Sequence, residues 1–405
     1  MNGRPIWGAS LDARAPGGRG VRGRGVLASL LGVLLLAVTA CSGGDDKKPA
    51  ADRTSKAVVT IAPANGADDV DTTGALKVTA AEGKLTEVGV KDAKGNAIEG
   101  RITDGGTAWT PAGHLKSATT YTVHAVAKDA EGRAATRKST FTTLKPKKTF
   151  EGTFTPGDGA TVGVGMPFSL TFDQGVTEPE DIEKAITIKT EPAVEVVGHW
   201  FGDNRIDYRP EQYWKPGTKV TVDLNLDGVK GGSGVYGKQT ERVSFTIGRS
   251  QISTVDVQTK EMVVKRDGAV LKTVPVTTGA PGYDTWNGQM VISERLEVTR
   301  MNGETVGYAG QYDIPDVPHA MRLTTSGTFL HGNYWSGAFG SYNASHGCIG
   351  LRDVRGGYDD TTAAAWFFDN SMIGDVVVVK NSNDQIVAPD NGLNGWNMSW
   401  EEWKK

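Results

Sequence analysis

Trp109-Thr-Pro111-Ala-Gly-His-Leu115-Lys116-Ser-Ala-Thr119-Thr-Tyr-Thr122-Val123 recurs as Tyr208-Arg-Pro210-Glu-Gln-Tyr-Trp214-Lys215-Pro-Gly-Thr218-Lys-Val-Thr221-Val222, at a constant offset (208 − 109 = 99). Working outward, Pro63-x-x-Gly66 has a counterpart in Pro156-x-x-Gly159, and Phe141-Thr142 in Phe245-Thr246. Between these marks run short segments such as VVTIA, TYTVHAVA, FSLTF and KVTVDLNL, in which β-branched and aromatic residues alternate with polar ones. That period of two, broken by Gly, Asp, Asn and Pro, predicts strands. A repeated unit of about 100 residues built from such strands matches an immunoglobulin-like β-sandwich. Two sandwiches are therefore expected, over 57–147 and 148–249, joined at the basic stretch Leu144-Lys-Pro-Lys-Lys148. They contain no cysteine, and His114, His124 and His199 are isolated from one another. A spacer role is the reading for both.

Ahead of the sandwiches, Arg4, Arg14, Arg19, Arg22 and Arg24 precede an uncharged apolar run, Val26–Ala40, of 15 residues. A membrane-spanning helix needs about 20, so residues 1–40 are expected to be a signal peptide. Small residues lead into Cys41, which resembles the cleavage and lipidation site of a bacterial lipoprotein. Lipid on Cys41 would anchor the chain outside the cytoplasmic membrane. Residues 41–56 are small, charged and proline-containing, a flexible linker. Removing residues 1–40 takes away five Arg and one Asp, so the net charge falls from −3 to −7 (−3 − 5 + 1). No basic stripe survives, which excludes nucleic acid as a partner.

Downstream, residues 250–381 are again rich in β-runs. Asp267-Gly268 between two alternating runs predicts a hairpin. A helix is expected over Asp359–Asn370, capped by Asp359 or Asp360, with Ala363, Trp366 and Phe367 on one face. Residues 382–405 hold Trp396, Trp400 and Trp403, and are expected to pack back onto a domain, because exposed indoles are costly.

The chemistry concentrates near the C-terminus, in Phe329-Leu330-His331-Gly332 and Ser345-His346-Gly347-Cys348-Ile349-Gly350. Cys348 is the one cysteine besides Cys41. A lone thiol beside His and Gly in an exported chain points to a nucleophile, with an imidazole lowering its pKa. His346 is two residues away, and neighbours at that spacing do not readily present both side chains in register. His331, brought in on an adjoining strand, is the better base. Gly347 allows a sharp turn, after which the N–H groups of His346, Gly347 and Cys348 can face an oxyanion. A zinc site from Cys348, His346, His331 and Asp353 is the rival, but the spacing fits no common zinc pattern.

His331 followed 17 residues on by the Cys of Ser345-His346-Gly347-Cys348 resembles the L,D-transpeptidase signature of the YkuD-like fold. The stretch 277–285 (TTGAPGYDT), Ser326-Gly327 and Trp335-Ser336 are similar to that family's strands around the active site. The Trp-rich tail, the lipoprotein-like start and the two sandwiches resemble its mycobacterial-type members. The resemblance implies a mainly β chain: two immunoglobulin-like sandwiches, a β-rich catalytic domain with a short helix, and a C-terminal extension. It implies Cys348 as nucleophile, His331 as general base and acid, and the Gly332 carbonyl as the group orienting His331. Oxyanion donors fall on the backbone of His346, Gly347 and Cys348. Substrate contacts fall on Tyr312, Ser326, Gly327, Trp335, Ser345 and Gly350. Gly350 stands where mycobacterial-type members commonly have Asn, and Trp286-Asn287-Gly288 where the early turn often has Pro before Gly.

The implied reaction is formation of 3→3 cross-links in peptidoglycan through a cysteine thioester, with release of D-Ala from a tetrapeptide donor stem. Peptidoglycan stems are then the partners, carbapenem β-lactams are expected covalent inhibitors, and neither a cofactor nor a metal is required. Water in place of the acceptor amine would give an L,D-carboxypeptidase. A non-catalytic wall-binding lipoprotein is the second alternative.

Overall fold

The computed structural model describes residues 54–307 and 309–405. The expected signal peptide, Cys41 and the linker through residue 53 lie outside the described residues. Among the described residues, no helix is long and apolar enough to cross a membrane.

The repeat becomes two sandwiches of one connectivity. In the first, strands 58–62, 77–81, 108–111 and 100–103 form one sheet, in that order, and 67–70, 134–143, 120–128 and 84–92 the other. In the second, 152–155, 168–172, 205–209 and 197–201 face 161–162, 240–247, 219–225 and 186–191. Each second sheet begins with a strand parallel to its neighbour, 67–70 on 134–143 and 161–162 on 240–247. The repeated sequence positions are core positions: Trp109 and Tyr208, Leu115 and Trp214, Val123 and Val222 are all buried. Periodicity of two puts them on the inner faces, so the repeat records what the core needs. The second unit adds a three-stranded sheet from 148–150, 230–232 and 235–237, and a short helix, Pro179–Lys184.

The catalytic sheet has nine strands. In chain order they are β1 (Gln251–Asp256), β2 (Glu261–Arg266), β3 (Ala269–Thr277), β4 (Gly288–Val291), β5 (Glu294–Asn302), β6 (Asp313–Arg322), β7 (Phe329–Asn333), β8 (Ile349–Arg352) and β9 (Val376–Lys380). Their spatial order is β4-β9-β1-β2-β3-β8-β7-β6-β5. Two pairs are parallel, β1 with β9 and β7 with β8. Asp267 and Gly268 both take positive φ (50° and 86°) between β2 and β3, the two-residue hairpin predicted from their sequence.

The helix is shorter than expected, Ala363–Asp369, and its cap is Thr362, whose Oγ1 accepts from Ala365 N–H. Asp359 does not cap it. Its carboxylate accepts from Thr361 N–H and Oγ1–H and closes the preceding turn. The face also shifts, with Ala364, Ala365, Phe367 and Phe368 buried, whereas Ala363 and Trp366 are half-buried. The helix packs across β6, β7 and β8, so the stripe it buries is wider than one run at i, i+3, i+4.

The tail lies against the second sandwich. Val291, Leu393 and Trp396 belong to the same apolar core as Phe168, Ile206 and Trp214. Trp396 Nε1–H donates to Gly165 O (2.7 Å), and Trp403 Nε1–H to Val197 O (2.9 Å). Arg209 sits beneath three indoles, its Cζ 4.8 Å from the Trp396 ring, 5.4 Å from Trp400 and 4.2 Å from Trp403. Burial pushes that guanidinium down to about 10. Its Nη groups are held by the carbonyls of Pro210, Glu211, Gly395 and Met398. His199 is an indole neighbour rather than a ligand: its Nδ1 donates to Trp403 O (3.0 Å) and its ring lies 5.0 Å from Trp403.

Candidate active site

Parallel pairing of β7 with β8 brings the two motifs together. Leu330 stands opposite Ile349, and His331 opposite Gly350. Cys348, one residue before β8, therefore reaches the level of Phe329–His331. His331 and Cys348 both line a cavity of about 580 Å³. Gly327, Trp335, Ser345, His346 and Tyr312 line it too. The hairpin of β5 and β6 walls one side, contributing Met301, Asn302 and Ile314.

His331 is buried, and its Nδ1 lies 2.9 Å from Gly332 O. A carbonyl only accepts, so Nδ1 carries the hydrogen and Nε2 is left as an acceptor. Burial lowers the His331 pKa, against the opposing pull of the Gly332 carbonyl and of Asp353. The Trp335 indole stacks on the imidazole at 5.7 Å and 17° while remaining 43% exposed itself. Behind the ring, Gly332 has no room for a side chain: a Cβ would overlap the Asp353 carboxylate. Asp353 is bound to His319 Nδ1 (2.7 Å), Val354 N–H (2.8 Å) and Thr362 Oγ1–H (3.1 Å). It does not join Cys348, contrary to the zinc alternative. Among the described residues no group of three or more His, Cys, Asp or Glu is arranged to hold a metal ion.

Cys348 is half-buried. Its sulfur accepts from Phe329 N–H (3.4 Å), and its S–H donates to Gly327 O (3.7 Å) rather than to His331. Burial pushes the thiol up to about 11, with the Phe329 N–H pulling the other way. Burial thus opposes the acidification expected of a thiol beside an imidazole. Desolvation disfavours both charged forms, and no hydrogen bond joins them to offset it. Alkylation of Cys348 by iodoacetamide should accordingly climb about tenfold per pH unit from neutrality towards pH 10. A rate plateau reached below pH 8 would reveal a resting ion pair instead.

The turn before Cys348 is built by its neighbours. Thr278 O accepts from Ala344 and Ser345 N–H, and Ser345 O from Ala280 N–H, so the 278–285 loop pins the approach. Gly347 takes φ 108°, which a side chain would resist. Ser345 Oγ–H donates to Cys348 O (2.6 Å) and Oγ accepts from Gly347 N–H (3.2 Å). Of the expected trio of oxyanion donors, the Gly347 N–H is thus engaged here by the Ser345 hydroxyl. The Cys348 N–H has no partner among the described residues. His346 is clasped by aromatic rings, Tyr283 at 4.5 Å and Tyr312 at 5.1 Å. Ser326 lies in a smaller adjoining cavity of about 240 Å³, shared with Tyr283, Tyr312 and His346. Its hydroxyl accepts from Asn391 Nδ2–H (2.8 Å).

Gly350 does not reach the cavity; it is buried in the sheet beneath the wall. Asn333 lines the cavity and was not among the expected residues. Strand alternation held the signal: His331 and Asn333 are two apart on β7 and face the same way.

A half-buried thiol and a buried imidazole thus open on one cleft, brought there by two adjacent parallel strands. Residues 250–379 match the L,D-transpeptidase catalytic domain (YkuD), and residues 67–230 the bacterial Ig domain. The chain is 33% identical to L,D-transpeptidase 2 of Mycobacterium tuberculosis (strain CDC 1551 / Oshkosh), over 95% of each chain. It is 29% identical to L,D-transpeptidase 5 of M. tuberculosis (strain ATCC 25618 / H37Rv), over 97% of this chain and 87% of that one. A solved L,D-transpeptidase in complex with imipenem is 29% identical, with a TM-score of 0.48, covering 58% of this chain and all of that one. The chain belongs to the L,D-transpeptidase family. It is a transpeptidase that cross-links peptidoglycan, and since that polymer lies outside the cytoplasmic membrane, it acts there.

Proposed function

We propose that Cys348 is the nucleophile and His331 the proton carrier of a two-step acyl transfer making 3→3 cross-links. The observation that carries this is the shared cavity: one thiol and one Nε2 acceptor open on the same 580 Å³ cleft from adjoining strands. A donor tetrapeptide stem lies in the cleft with the carbonyl of its third residue at the sulfur. The S–H leaves Gly327 O and passes its proton to His331 Nε2 as the sulfur attacks. The tetrahedral oxyanion takes the Cys348 N–H. Collapse breaks the peptide bond, the imidazolium protonates the departing nitrogen, and D-Ala leaves. The amine of a second stem then attacks the thioester, gives a proton to His331, and expels the sulfur, which recovers its proton. Desolvation disfavours thiolate and imidazolium at rest, and the charge that develops in the transition state is stabilised by substrate dipoles and the Cys348 N–H.

Gly332 O fixes the tautomer that makes this exchange feasible. Tyr312, Ser326, Gly327 and Trp335 stand along the two cavities as substrate contacts. Ser345 serves by holding the turn, and Gly350 by letting the wall pack. A strained β-lactam carbonyl offers the same thiol an acyl group, so carbapenems form a covalent adduct. We place the domain boundaries at 57–147, 148–249, 250–381 and 382–405, with cores that interlock across them: Val291, Leu393 and Trp396 join that of the second sandwich, and Val387 that of the catalytic sheet. Lipid on Cys41 would tether the whole to the membrane, with the sandwiches as spacer.

Incubation of the mature chain with disaccharide-tetrapeptide tests the reaction. Mass spectrometry should find free D-Ala and a dimer joined through the third residues. Absence of both, from a folded chain, overturns the assignment.

A further inference from the structure

We infer that the Asn333 side-chain amide is a substrate-specificity donor, binding a backbone carbonyl oxygen of the donor stem peptide beside His331. Asn333 is 5% exposed yet lines the main cavity. Its Oδ1 accepts from Trp335 N–H (3.2 Å), which fixes the orientation of the carboxamide. With the oxygen held there, the Nδ2 hydrogens point away from Trp335, and among the described residues they have no acceptor. The amide nitrogen reaches the open cavity, so an oriented donor stands on the wall where a ligand can replace solvent as its acceptor.

The neighbouring strand leaves the space for this group. A Cβ on residue 350 would stand 3.3 Å from Asn333 Nδ2 and 2.9 Å from Thr277 Cγ2. Gly350 therefore lets the carboxamide lie flat over β8 instead of being pushed into the cleft. On β7, His331 and Asn333 face the same side at a spacing of two, about 7 Å along the strand. That is the span of two residues of an extended peptide, so a stem with its reacting carbonyl at Cys348 presents the carbonyl two residues along to Nδ2. Peptide chemistry fits the donor: an extended stem offers carbonyl acceptors at regular intervals, and an amide nitrogen without charge does not compete for the stem's carboxylates.

The inference rests on the acyl-transfer reading, and one experiment separates them. Steady-state turnover of disaccharide-tetrapeptide is measured for the mature chain, Asn333→Ala and Asn333→Asp. Asn333→Asp keeps an acceptor for Trp335 N–H and removes the donor. KM for the donor is expected to rise about threefold to tenfold in both, the size of one lost neutral hydrogen bond, with kcat held. Iodoacetamide alkylation of Cys348, which does not use the groove, should stay within about twofold in Asn333→Ala. Unchanged KM in both variants overturns the inference. So does a parallel fall in kcat, alkylation and thermal midpoint in Asn333→Ala, which is the signature of a structural role. Turnover by the unsubstituted chain tests the underlying reaction on its own.

Discussion

Cys348→Ala is expected to lower cross-linking turnover by about 10⁴-fold or more, the scale on which covalent enzymes lose rate when the nucleophile goes. The fold should survive. The side chain is half-buried, and among the described residues its sulfur makes two weak hydrogen bonds, to Phe329 N–H and Gly327 O. The thermal midpoint should thus stay close to that of the parent. Mass spectrometry of the intact chain after exposure to a carbapenem gives the second readout. The parent gains the mass of the drug and the variant gains nothing. An adduct that persists in Cys348→Ala would place the reactive group elsewhere and remove the basis for the mechanism.

Trp403→Ala should be the most destabilising single change in the tail, by about 3–5 kcal/mol, the usual cost of truncating a fully buried large aromatic. The ring is 1% exposed and is flanked by His199, Phe201 and the Arg209 guanidinium. Its loss also leaves the Val197 carbonyl without the indole donor. Trp400 offers the contrast. It is half-buried, with Arg209 at 5.4 Å and Lys404 at 5.8 Å from its ring, so Trp400→Ala should cost much less. Urea unfolding followed by intrinsic fluorescence reads both. Equal losses for the two would mean that the tail is held by its backbone rather than by the buried indole.

Much of the architecture was legible because core positions leave a periodic trace. Trp109 and Tyr208 occupy the same place in two sandwiches, and their spacing announced the repeat. Asp267-Gly268 announced its hairpin through the one local rule strong enough to act alone. The pairing of β7 with β8 was less accessible. Parallel strands are joined by a long connection, and nothing in the residues between Asn333 and Ile349 states that they return alongside.

The site divides in the same way. His331 and Cys348 were nameable from residue type and spacing, and Gly332 from the family resemblance alone. The occupied N–H of Gly347 was not, since it depends on where the Ser345 hydroxyl turns. The upward push on the thiol pKa was not legible either, since it follows from solvent exclusion, which sequence does not record. The helix cap passed from Asp359 to Thr362 for a tertiary reason. Thr362 also donates to Asp353, and so joins the helix start to the network behind Gly332.

The way the chain ends has a mechanical consequence. Leu393 and Trp396 complete the core of the upstream sandwich, so those two bodies cannot swing apart without tearing apolar contacts open. The first sandwich has its own closed core and meets the second through polar bonds such as Thr72 to Gly228 and Ser117 to Asp227. Bending compliance concentrates at that upper joint. Any yielding at that joint would carry the cleft through the polymer mesh as one piece with the second sandwich, its own alignment kept.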